Sequence, residues 1–142
     1  MSLAGPDFWI NGIGLVLTGS AFLRAKVMEP LLPDPVPTHW NWRGQVDGWL
    51  RKPLGTYVLP LVMAILQGVF AVSRWSLPAD RASEALLLGW IQCSTSIFLL
   101  YVTEMALRAG AGQPIRMIHG ILPAAVLFLL ALMGGIVFFQ PR

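Results

Sequence analysis

LPDPVPTHWNWRGQVDGW, residues 32–49, is the one dense polar island in an otherwise oily chain, and its reading decides how the rest is arranged. Prolines at 33, 35 and 37 remove backbone donors and hold their neighbours extended, so the first half is expected to be a stiff, non-helical strap. Gly44 and Gly48 then permit turns that a side chain would forbid. The expectation is a loop of definite shape over residues 30–53, flanked by segments apolar enough to be helices.

Composition settles the solvent. Of 142 residues, 56% are hydrophobic and only 12% charged, with a mean hydropathy of +0.66. Too few charges remain to clothe a water-soluble globule, so the chain reads as an all-α, polytopic membrane protein forming a single membrane domain over residues 1–142. The net charge is +3, yet Lys and Arg are scattered between apolar segments with no basic stripe. That pattern argues against nucleic acid and for membrane lipids, through their anionic headgroups, as partners. Cys93 is the single cysteine, which excludes an internal disulfide and argues against paired-thiol redox chemistry. The N-terminus lacks the basic region and cleavage pattern of a signal peptide.

Outward from the island, four transmembrane helices are expected over residues 8–28, 54–72, 84–107 and 115–139. In the first, Asp7 is the expected N-cap, and the fully apolar part ends at Leu23 after about 24 Å of helix. That is short of a ~30 Å hydrocarbon core, but Arg24 and Lys26 can snorkel and carry the helix to Met28, where Glu29-Pro30 breaks it. Asn11, Gly12, Gly14 and Gly19 weaken this segment, and an interfacial or tilted helix is the competing reading. Pro60 falls near the start of the second helix, where a proline costs little. Each helix carries a small-xxx-small pair, Gly14/Thr18, Ala64/Gly68, Gly89/Cys93 and Ala131/Gly135, compatible with a compact bundle or a homo-oligomer. The bias of Lys and Arg between alternate sides puts the island in the cytoplasm and both termini outside.

The same alternation sets the end of the third helix and the start of the fourth on the island's face. Glu104, Arg108, Arg116 and His119 are thus expected to approach His39, Asp34, Asp47 and Asn41, where titratable groups converge. Glu104 and Arg108, four apart, read as a structural ion pair. His39 is expected to bond a loop carbonyl or carboxylate, and His119 to sit at the interface. The set lacks the compact HxxxH or HExxH spacing of a metal site, and no metal or other cofactor is implied. Ser94, Thr95 and Ser96 lie mid-helix with no histidine at their depth, so they read as helix-to-helix hydrogen-bonding groups and not as nucleophiles. Trp40, Trp42 and Trp49 read first as interfacial anchors. Their second reading is an aromatic platform for a peptide or apolar ligand, with Arg43 and Lys52 available for cation–π contact or an anionic group.

The stretch LPDPVPTHWNWRGQVDGWLRKPLGTYVLP resembles the hallmark of the SdpI-like bacterial immunity proteins and of the small multi-pass membrane domain of unknown function they contain. Leu32, Pro33, Val36, Pro37, His39, Trp40, Asn41, Gly44, Asp47, Gly48, Trp49, Lys52 and Pro60 stand at matching positions. The resemblance implies a multi-pass protein of the bacterial plasma membrane; the relatives protect a producing cell against a secreted, membrane-active toxin peptide and can sequester a repressor at the membrane. It carries no catalytic assignment. This leaves two classes of function: a non-enzymatic module whose loop and helix ends bind a toxin peptide or lipid-like ligand, and a small structural or accessory subunit of a larger membrane complex. An interfacial enzyme using His39 with Asp47 or Glu104 is the least favoured reading.

Overall fold

Lipid offers a backbone no hydrogen-bond partners, so apolar segments of this length close their bonds internally as helices. In the computed structural model, which describes residues 6–114 and 117–139, these are α1 (Pro6–Met28), α2 (Leu54–Trp75), α3 (Ala82–Gly110) and α4 (Met117–Phe138). Each contains a stretch long and apolar enough to cross a membrane. The side chain of Asp7, expected to cap α1, and Arg116, expected near the island, lie outside the described residues. α2 runs beyond Val72 because Arg74, read from sequence as part of a polar connection, is instead buried against neighbouring helices.

The island departs from a plain loop. After a 3₁₀ turn at Glu29–Leu31, the extended strap folds back and pairs with the island's second half: β1 (Val36–Trp40) and β2 (Val46–Leu50) form an antiparallel hairpin with register irregularities around His39. Its period-2 pattern is short but present. Val36 is buried and Val46, Gly48 and Leu50 are half-buried, while His39, Asp47 and Trp49 are exposed. Pro37 faces Trp49 on an edge that needs no further donor.

α1, α2 and α3 pack against one another, whereas α4 packs chiefly on α3. The centre of the three-helix unit is polar. The Gln92 amide donates to Gln67 Oε1 and, at 3.5 Å, to Asn11 Oδ1; Gln67 Nε2 donates to Ser96 Oγ at 2.6 Å; and Arg74 Nη1 donates to Gln92 Oε1 at 3.0 Å and Asn11 Oδ1 at 3.4 Å. Towards the hairpin the core becomes apolar, built from Ala25, Met28, Leu32, Val36 and Leu107.

Small residues admit these neighbours. Gly14 is buried under the Gln67 amide, where a Cβ would stand 2.3 Å from Oε1; Gly89 receives Ile10 and Gly135 receives the Trp90 ring. Trp90 Nε1 also donates to the Ala131 carbonyl at 2.7 Å, fastening α4 to α3. Ala64 and Gly68 differ: both are exposed, and a Cβ on Gly68 meets nothing within 4 Å.

This contrast predicts opposite signs for one substitution. Gly68→Ala should stabilise the protein in detergent by up to ~1 kcal/mol through helix propensity. Gly14→Ala should lower the melting temperature, because the buried Gln67 amide cannot withdraw without breaking its bonds. Thermal unfolding of the two variants checks this.

Candidate functional site

The hairpin is tied down at its base. Lys52 Nζ donates to the Glu29 carbonyl at 2.7 Å, Tyr57 Oη donates to Glu29 Oε2 at 3.0 Å, and the Lys52 amide donates to Asp34 Oδ1 at 3.2 Å. These bonds join the segment entering the hairpin to the one leaving it. Gly55 lets α2 start against the hairpin, since a Cβ there would lie 2.4 Å from the Leu50 carbonyl oxygen. Gly110 likewise lets the end of α3 approach Leu32 and Pro37.

At the other extremity Asn41 organises the turn. Its side-chain Oδ1 accepts from the amides of Arg43 at 2.9 Å and Gln45 at 3.0 Å, its carbonyl accepts from Gly44 at 2.8 Å, and its own amide donates to the Gln45 carbonyl at 2.9 Å. Gly44 has φ +77°, a left-handed conformation that closes the turn and favours glycine. The turn presents Trp42, 78% exposed, with the Arg43 guanidinium 4.7 Å from its ring centroid. Across the strands His39 Nδ1 is hydrogen-bonded to Asp47 Oδ1. Gly48 stands opposite His39, where a Cβ would come 2.8 Å from the His39 Cβ.

An open pocket of about 410 Å³ lies between β1, the turn and the helices. Thr38, His39, Trp40, Asn41 and Trp42 form its hairpin wall; Leu59 of α2, Val102 and Ala106 of α3, and Ile121, Leu122 and Ala125 of α4 form the rest. The volume is in the range of small-molecule sites, with apolar walls and a few polar groups at the rim. α4 packs chiefly on α3, and the space between it, α2 and the hairpin is left unfilled.

The sequence-derived site residues thus divide into separate groups. His39, Trp40, Asn41 and Trp42 share the cavity, Asp47 joins them through His39, and Arg43 through Trp42. Trp49 is exposed on the opposite strand, and Lys52 serves the base of the hairpin. Glu104 is not among the cavity residues: Arg24 grips it with two hydrogen bonds, Nε to Oε2 at 2.6 Å and Nη2 to Oε1 at 2.8 Å, while Arg108 Nε pairs with Oε1. Such bidentate geometry holds α1 and α3 in fixed register. His119, in the first turn of α4, lines a different apolar groove of about 580 Å³ with Tyr101, Phe98 and Phe128. Among the described residues, no three of His, Cys, Asp and Glu gather as metal ligands.

Sequence reasoning missed Arg24 as the cross-helix partner of Glu104; it read Ser96 as a helix-to-helix bonding group, as its bond from Gln67 bears out, but missed the network of Asn11, Gln67, Arg74 and Gln92 that Ser96 joins. The first follows from no local spacing, since the partners are eighty positions apart. The second had a signal: amides inside apolar spans have to find one another.

Residues 16–64 carry a DUF1648 domain, a domain of unknown function. No curated protein and no solved structure matches the chain. The matched segment spans α1 from its middle, the whole hairpin and the first half of α2.

Because His39 and Asp47 bond across the strands, His39→Ala and Asp47→Ala should each speed amide hydrogen exchange in the hairpin, by about 5- to 10-fold for a loss of ~1 kcal/mol. The double variant should exchange little faster than either single one, as one shared interaction is removed once. Exchange in α3 should be unchanged.

Proposed function

We propose that the protein is a non-enzymatic, multi-pass protein of the bacterial plasma membrane whose hairpin and adjoining helix ends bind a peptide or lipid-like ligand at the membrane surface, in the manner of the SdpI-like immunity proteins it resembles. The observation that carries this reading is the open pocket of about 410 Å³ between the hairpin and three membrane helices. Its rim places the polar groups of His39 and Asn41 beside the rings of Trp40 and Trp42, a pairing suited to a ligand with a polar and an apolar part. The His39–Asp47 pair has the form of a proton-transfer dyad, but the side chains around it are apolar, aromatic or amide apart from Thr38. Binding and orientation are therefore the better use of these groups.

A second reading draws on α4. Its spanning window is only 6% buried, and Leu127, Leu130, Val137 and Phe138 are exposed along it. A small accessory subunit seated against a larger membrane complex, or a homo-oligomer joined through this helix, would use such a face.

The test couples purification to a cavity-filling variant. Cells expressing the chain are challenged with membrane-active toxin peptides, and the protein is isolated in mild detergent. Protection by the wild type and its loss in Ala125→Phe at an unaltered melting temperature is the expected outcome. Stoichiometric co-purification of a larger membrane protein, without protection, replaces this reading with the accessory-subunit one.

A further inference from the structure

We propose that the ligand of the pocket between hairpin and helices is an anionic phospholipid, with one acyl chain against the helices and the phosphate at the Trp42–Arg43 turn. The proposal rests on the binding reading above and names the ligand. Its first support is charge. On the hairpin's face of the bundle the carboxylates are engaged: Glu104 by Arg24 and Arg108, Glu29 by Lys26 and Tyr57, Asp47 by His39, and Asp34 by the Lys52 amide. Arg43 and Arg51 make no ion pair with any described residue. Arg43 is instead held over the Trp42 ring by a turn whose backbone is fixed by Asn41. A guanidinium positioned in this way keeps its donors for an anion, and phosphate oxygens accept them in pairs.

The second support is the wall. Leu59, Val102, Ala106, Ile121, Leu122 and Ala125 all belong to membrane helices and have no side-chain donors or acceptors. An extended peptide laid against this helix wall would find no partners there for its backbone N–H and C=O groups, at several kcal/mol each in hydrocarbon. An acyl chain has no such groups. Trp42 lines the cavity and also carries Arg43, so the apolar space and the cationic turn are consecutive parts of one site. A ligand that satisfies both is apolar at one end and anionic at the other.

Native mass spectrometry of the purified protein, with phosphatidylglycerol or phosphatidylcholine added at equal concentration, tests the assignment. The wild type should retain one phosphatidylglycerol, at least about 5-fold in preference to phosphatidylcholine. Arg43→Gln, at the exposed turn, should lose that preference while keeping the wild-type melting temperature, and Ala125→Phe should retain neither lipid. Equal retention of the two lipids by the wild type, an undiminished preference in Arg43→Gln, or a bound peptide mass in place of a lipid overturns the proposal. If Ala125→Phe still abolishes protection while Arg43→Gln leaves lipid preference intact, the cavity reading stands and only the lipid assignment falls. If Ala125→Phe alters neither lipid retention nor protection, both fall.

Discussion

Polar side chains buried where no water can serve them decide this architecture. Between membrane helices the hydrophobic effect gives no preference for one neighbour over another, because lipid tails are as apolar as leucine. The Gln67–Gln92–Ser96 chain, extended by Asn11 and Arg74, supplies that preference. Each amide meets its partners at one depth, so α1, α2 and α3 are fixed in rotation and in height together. Gly14 is the steric counterpart, since the Gln67 amide occupies the room its missing side chain leaves.

With three helices fixed, the end of the bundle becomes a platform. The bidentate Arg24–Glu104 bridge sits at that end, and the apolar cluster of Ala25, Met28, Leu32, Val36 and Leu107 joins the helices to the first strand. The hairpin therefore does not hang from two helix ends as a tether would. Its strand packs on α2 and α3, its base is closed by Lys52 and Glu29, and its turn is closed by Asn41. α4 stands outside the Gln67–Gln92–Ser96 chain and is fastened by Trp90 to Ala131 and by the stacked Phe98–Phe128 pair. The open pocket lies between it, α2 and the hairpin.

The four spans were legible because composition and length alone separate lipid-facing helices from everything else, and Asp, Glu, Lys and Arg mark their ends. The definite shape of the island was legible too, from its prolines and from Gly44. The strand pairing was not: with strands of five residues, prolines at 33, 35 and 37 and register irregularities at His39, the alternation is too brief to separate from an extended strap. The pairing of Glu104 with Arg108 could be read at helical spacing, whereas Arg24 could not, because contact between α1 and α3 is a product of the whole bundle. For the same reason one convergence of His39, Glu104 and His119 was expected where the structure has separate groups. A shared side of the membrane is a weaker condition than a shared depth and azimuth.

The clasp between Lys52 and Glu29 has a consequence for how such a protein can change. The turn at residues 41–44 keeps its shape through its own bonds, whereas what the bundle needs is secured at the hairpin's foot. Trp42 and Arg43 are thus positions whose side chains can be exchanged while the bonds that hold the scaffold stay in place, much as a key's bit can be recut while its shank stays the same.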